Sequence, residues 1–153
     1  MKTKFGLGTT IFAMIFGLAT TAMAQDVIEK MSAKQIEGIL DSLADKDLIS
    51  SYEELDAVNT YKLKIEGVNV LLFNNGDDMR LYVGFNTESG ISLAKINEWN
   101  RDNYFSHAYI DDDKDPCLES DLLLTGGVTE KVVQRWILRF GIAVLLFQDS
   151  FSK

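Results

Sequence analysis

Two side chains in the 153 residues belong to the types that most often carry nucleophilic or metal chemistry at neutral pH: one histidine, His107, and one cysteine, Cys117. A Ser-His-Asp relay would have to run through His107, which lies between Ser106 and Ala108 in a strand-like run with no nucleophile elbow nearby. A transition-metal site needs several His or Cys ligands, which these two cannot supply. His107 is therefore expected to be structural. Cys117 has no second cysteine for an intrachain disulfide. In an oxidising compartment such a thiol is either buried and inert, which is the commoner state, or paired between chains. No catalytic residue, metal-ligand set or cofactor is assigned.

Three local clusters need weighing. Asp111, Asp113 and Asp115 match the first three ligand positions of an EF-hand loop. The turn that follows requires glycine, where Pro116 stands, and the closing bidentate acid falls on Leu122. The 111–115 run is expected to be a solvated hairpin tip. Gly126-Gly127 follows a strand-like run, but neither G-x-x-x-x-G-K nor G-x-G-x-x-G is present, and a turn into the last helix accounts for it. Ile96-Asn97-Glu98-Trp99-Asn100 has two readings. Trp99 can anchor a helix in the core while Asn97 and Asn100 satisfy backbone groups at the helix end. Alternatively the three form an exposed aromatic–amide binding spot.

These residues must be held by regular elements, and the hydrophobic period predicts them. Ile36, Ile39, Leu40 and Leu43 recur at helical spacing after Ser32, which with Gln35 makes a capping box. Residues 25–33 before it are expected to be a frayed lead-in, and residues 44–59 an irregular stretch anchored by Leu48, Ile49 and Tyr52. Tyr61, Leu63 and Ile65 alternate with charged residues, Glu66-Gly67 reverses the chain, and Val68 to Phe73 suits a central strand. Asn75-Gly76 signals a hairpin in which both central residues have positive φ, and Leu81, Val83 and Phe85 then alternate. A helix over Ile91 to Trp99, with Leu93, Ile96 and Trp99 on one face, is followed by strands at Tyr104–Ile110 and Leu118–Leu124. Thr129 can cap a last helix from Glu130 to about Gln148.

The spacing thus predicts an α+β domain, an antiparallel sheet of about five strands with helices packed on it in the order α-β-β-β-α-β-β-α. The last helix carries more apolar residues than one sheet can cover. Residues 140–147 are apolar around the whole circumference, whereas a helix lying on a single sheet needs one apolar stripe. A second subunit, meeting Trp136, Phe140, Val144 and Phe147, would cover the excess; the N-terminal helix is the alternative cover.

The N-terminus carries a different signal. Lys2 and Lys4 precede an apolar run from Phe5 to Leu18, and Ala22-Met23-Ala24 supplies an A-x-A site before Gln25. This is the pattern of a cleavable secretory signal over residues 1–24, cut between Ala24 and Gln25, leaving one domain over residues 25–153. The run is short for a membrane span and diluted by Gly6, Gly8, Thr9 and Thr10, so no anchor is expected after cleavage. Loss of the two lysines moves the formal charge from −8 to −10. That acidity opposes binding to nucleic acid or anionic lipid and favours solubility or a basic partner. The expected location is periplasmic or secreted.

The second half also resembles a known family. Ile96-Asn97-Glu98-Trp99-Asn100, then Tyr104-Phe105-Ser106-His107-Ala108-Tyr109-Ile110-Asp111 with the acidic turn, then Leu122-Leu123-Leu124, Gly126-Gly127 and a long apolar helix, are similar to the YbjN-domain family. The resemblance spans roughly residues 34–148 in element order and is densest over 91–127. It implies a fold like that of type III secretion chaperones and a role as a bacterial sensory transduction regulator, and it brings no catalytic residues. Many members look cytoplasmic, whereas this chain begins with an export signal. The expectation is a non-enzymatic, exported, dimeric module that binds a protein; the alternative is a protein that binds a small ligand or divalent metal.

Overall fold

The computed structural model describes residues 26–87 and 90–151. The expected signal segment and its Ala24–Gln25 cleavage site lie outside the described residues. The order is β1 (Val27–Ile28), α1 (Ala33–Ala44), β2 (Ser51–Glu54), β3 (Thr60–Ile65), β4 (Val68–Asn74), β5 (Asp78–Gly84), α2 (Leu93–Asp102), β6 (His107–Ile110), β7 (Pro116–Leu123), β8 (Val128–Thr129) and α3 (Glu130–Phe151). Six strands form one antiparallel sheet in the order β2-β3-β4-β5-β7-β6, and β1 pairs with β8 in a separate two-stranded ribbon. The fold is the expected α+β arrangement with more strands than anticipated.

One face of the sheet makes the core. Tyr61, Leu63, Val70, Leu72, Leu81, Val83 and Leu118 are buried on it, every second residue of each strand. Ile36, Ile39, Leu40 and Leu43 of α1 join this core, so the helical period reads the buried face correctly. The capping box is present, with Ser32 Oγ accepting from Gln35 N and Gln35 Oε1 accepting from Ser32 N. In α2, Ser92 is the cap, and Ile96 and Trp99 are buried, but Leu93 is exposed because it opens the helix on the solvent side.

Three expectations are corrected, and the Glu66-Gly67 reversal is present as expected. Residues 26–33 are tied down, not frayed: β1 pairs with β8, and Met31 is buried with its N donating to Gly76 O at 2.8 Å. The irregular 44–59 stretch contains β2, whose sequence Ser-Tyr-Glu-Glu has no apolar alternation; pairing with β3 and the bond from Tyr52 Oη to Asp41 hold it. Glu66 and Gly67 both take positive φ, 49° and 84°, as a two-residue hairpin demands. In the Asn75-Gly76 turn only Gly76 does, at 91°. That loop has three residues, Asn75 to Asp77, and Asn74 shapes it by accepting from Gly76 N and donating to Met31 O.

α3 runs 22 residues and crosses the sheet closely. Val133, Trp136, Ile137, Phe140, Val144 and Phe147 point inward, and Ile142, Leu145 and Leu146 point to solvent. The close crossing explains a glycine inside the helix. A Cβ on Gly141 would come within 2.6 Å of Ile65 Cγ2, a methyl on a branched Cβ that yields only by a change of χ1 or a shift of the residue. Gly38 in α1 has nothing within 4 Å of the same virtual atom and no positive φ. The two helix glycines should therefore respond in opposite directions. Gly38→Ala is expected to gain about 0.5–1 kcal/mol from helix propensity. Gly141→Ala gains the same propensity but meets an overpacking cost of about 1–3 kcal/mol, for a net loss. Denaturant titration of both variants checks the pair.

Candidate binding surface

The second face of the six-stranded sheet carries no described helix. The register lays Glu53, Lys62, Leu71, Tyr82, Glu119 and His107 in one row across all six strands. A neighbouring row runs from Phe73 through Arg80 to Asp121. Leu71, Phe73 and Tyr82 are half-buried by their neighbours alone. Arg80 stacks its guanidinium over the Phe73 ring, 4.9 Å from the centroid, and Lys62 pairs with Glu53. Such cross-strand pairs stiffen a sheet that has no second layer.

Glu119 organises one end of this face. Its Oε1 accepts from Tyr109 Oη at 2.7 Å and lies 4.0 Å from Arg80 Nη1, and its Oε2 is 3.2 Å from His107 Nε2. The His107 and Tyr109 rings stack with centroids 6.3 Å apart. Burial first, then the bond to Glu119, pushes the Tyr109 phenol up. His107 is thus an exposed member of a surface network, held by Glu119 and stacked on Tyr109.

Cys117 is fully buried beneath this face. Tyr82 Oη lies 3.3 Å from its sulfur, and Asp111 Oδ2 lies at 3.6 Å. Gly84 makes the arrangement possible, because a Cβ there would stand 2.8 Å from Tyr82 Oη. Burial is the main cause that raises the Cys117 thiol; the hydrogen bond with Tyr82 acts the other way. Tyr82 is pushed up to about 12, chiefly by its bond with Cys117 and then by burial. A protonated, enclosed thiol is a poor nucleophile, and a disulfide to a second chain would require Tyr82 to move aside.

The acidic loop closes on itself. Asp111 Oδ1 accepts from Asp113 N at 3.1 Å and Asp115 N at 2.9 Å, and Lys114 takes the positive φ of the tip, 70°. This is a hairpin tip in which the aspartate stands in for backbone partners. Among the described residues no group of three His, Cys, Asp or Glu is arranged to hold a metal ion. Beside the loop lies a shallow hollow of about 340 Å³, lined by Asn69, Leu71, Tyr82, Asn86, Asp111 and Asp115.

The Asn97–Asn100 cluster separates into its parts. Trp99 is buried and packs edge-on against Phe147, with centroids 5.0 Å apart, leaving its Nε1 without a partner. Asn100 donates from Nδ2 to Ala108 O at 2.9 Å and accepts from Ala108 N at 2.7 Å. Its amide thus acts as a one-residue strand that blocks the open edge of β6. Asn97 is exposed and apart from both. The four side chains expected to meet a second subunit, Trp136, Phe140, Val144 and Phe147, are all inside the protomer core. The apolar excess of α3 instead reaches solvent through Ile142, Leu145 and Leu146, because the helix turns its bulkier stripe toward the sheet.

Sequence reasoning missed Leu71, Phe73, Tyr82, Tyr109 and Glu119 as a surface. The signal was present: in β4 the positions out of phase with buried Val70 and Leu72 are also apolar. That pattern reads as a strand covered on both sides, and no described element covers the second side.

Two measurements check this geometry. Cys117 should react with iodoacetamide at least about 100-fold more slowly in the folded protein than in denaturant, since access and thiolate fraction both fall. The folded phenols of Tyr82 and Tyr52 both ionise near 12, the latter through its bond to the Asp41 carboxylate. Raised above an unfolded value of about 10, they stabilise the fold fully below that pH, and their contribution fades as pH climbs through 12. Absorbance titration should show late-ionising phenolates, one of which disappears in Tyr82→Phe.

No curated protein matches the chain. The model of one protein family does, that of YbjN, a "putative bacterial sensory transduction regulator", over residues 32–153. The match takes in α1, the whole six-stranded sheet, the Asn100 edge lock and α3, so the chain belongs to the YbjN family.

Proposed function

We propose that the protein is exported and works outside the cytoplasm as a non-enzymatic regulatory module, holding a protein partner on the open face of its sheet and self-associating. The observation that carries this reading is the pairing of half-buried Leu71, Phe73 and Tyr82 with Lys62, Lys64 and Arg80 on a face that no described element covers. Apolar and aromatic side chains ringed by charges are the composition of a protein interface. Lys62 is paired with Glu53 and Arg80 lies near Glu119, so the face offers a partner a rim of both signs, with Lys64 exposed beside them. Membership of a regulator family supports a binding role. The chemistry of the face is in keeping with it: the enclosed Cys117 has a raised thiol, and the Tyr109 hydroxyl is engaged by Glu119.

Export rests on the three-part leader and the A-x-A site before Gln25. No helix among the described residues is long and apolar enough to cross a membrane. N-terminal sequencing of protein recovered from outside the cytoplasm is expected to start at Gln25; a start at Met1 would sink the export reading.

Leu71→Lys combined with Phe73→Lys should leave the melting temperature nearly unchanged, since both side chains point away from the core. Crosslinking to the partner in the exported fraction should fall at least about 10-fold. Undiminished crosslinking by the folded double variant would rule out this face. A second reading is favoured by the hollow beside Tyr82, whose amide and carboxylate lining suits a small polar ligand. A thermal-shift screen of polar metabolites and divalent ions, with Asn69→Ala and Asn86→Ala as controls, addresses it.

A further inference from the structure

The outward side of α3 is patterned along its length. Arg135, Leu138, Ile142, Leu145, Leu146 and Asp149 recur at intervals of three and four and so share one face. Ile142 is 61% exposed, Leu145 40% and Leu146 56%. Three large aliphatics grouped in water within five residues of one helix mark a contact surface. The stripe is basic at its N-terminal end, apolar in the middle and acidic at its C-terminal end. Arg135 makes no ion pair among the described residues.

We infer that this stripe is the surface through which two copies of the chain associate, with their α3 helices antiparallel and the two-fold axis passing by Ile142. The inference rests on the self-association in the proposed function and specifies how it is achieved. About such an axis, residues equally distant from Ile142 along the helix face each other. Arg135 and Asp149 each lie seven residues away, about 10.5 Å at 1.5 Å per residue. Arg135 of one copy is then opposite Asp149 of the partner subunit, and the reverse pair forms at the other end. Leu138 meets Leu146 of the partner subunit, and Ile142 meets its own copy. A parallel pairing would place Arg135 against Arg135. The antiparallel copy therefore sets the basic end of each stripe against the acidic end of the other, with the apolar centres together.

The surroundings favour the same occupant. Beside α3 lies a hollow of about 290 Å³, with Tyr104, Phe105, Arg139, Ile142 and Leu146 in its lining. Arg139 stacks over Phe105 with its guanidinium 4.3 Å from the ring centroid, and Tyr104 is 93% exposed. The apolar area thus extends past the helix onto a rigid flank, where side chains of the second copy can seat.

Analytical ultracentrifugation of residues 25–153, which hold the whole described core, tests the inference. The wild-type protein should sediment as a dimer. Ile142→Asp should weaken association at least about 100-fold while the monomer keeps its circular dichroism spectrum, because the position is exposed. Arg135→Glu and Asp149→Arg should each weaken it, and the two together should restore it. A monomer at the highest soluble concentration overturns the inference, and so does a dimer that survives Ile142→Asp. Loss of association without rescue by the double charge exchange overturns the antiparallel register. Partner crosslinking by the monomeric Ile142→Asp protein would leave the open-face reading standing. Loss of crosslinking in a still-dimeric Leu71→Lys, Phe73→Lys protein would sink that reading alone.

Discussion

The rest of the structure depends on how α3 is pinned to the sheet, and a buried hydrogen-bond relay does the pinning. Ser120 lies on the core face of β7, 2% exposed, where a hydroxyl left unpaired would cost about 1–3 kcal/mol. Trp136 Nε1 donates to its Oγ at 3.0 Å, and the same Oγ donates to Phe105 O at 3.0 Å. Helix, strand and the segment entering β6 are locked at one point. With Trp136 turned inward, the helical period forces Phe140, Val144 and Phe147 inward as well, and Gly141 lets the helix settle against Ile65. The same rotation leaves Ile142, Leu145 and Leu146 outside.

From this follows a one-sided molecule. All three helices contribute to a single core, on one face of a sheet whose other face is held by pairs between neighbouring side chains. A single layer of helices on an antiparallel sheet is a stable solution when the free face is polar enough for water. Here that face keeps Leu71, Phe73 and Tyr82 among its charges, more apolar surface than solvation alone would select. The sheet's ends are treated differently. Asn100 occupies the outer edge of β6, and short, acidic β2 closes the other side of the sheet. Edge-to-edge growth is discouraged at both, so the sheet face and the α3 stripe are the surfaces left for association.

Much of this was legible in the sequence where the physics is local. The capping box at Ser32 and Gln35, the α1 stripe, the alternation of β3 and β5 and the Glu66-Gly67 reversal depend on neighbours a few residues away. What stayed hidden depends on partners distant in the chain. β1 and β2 exist because β8 and β3 offer hydrogen bonds, not because their own residues favour strands. Asn75 avoids positive φ because its turn is drawn against Met31. The excess of apolar residues in α3 was visible as a count, but which of them face out is settled only by the Trp136–Ser120 bond. Asn100 was readable as a residue that satisfies backbone groups near the helix end, but which backbone it meets, the open edge of β6 at Ala108, depends on a strand eight residues on.

Hydroxyl-radical footprinting of residues 25–153, read by mass spectrometry, tests the one-sided architecture most directly. If helices cover one face only, Leu71, Phe73 and Tyr82 are oxidised in the folded protein while Trp99, Trp136 and Phe140 are protected. Protection of Leu71, Phe73 and Tyr82 in the isolated protein, at a level matching the two tryptophans, would mean the second face is already covered, and the assignment of that face to a partner would fall.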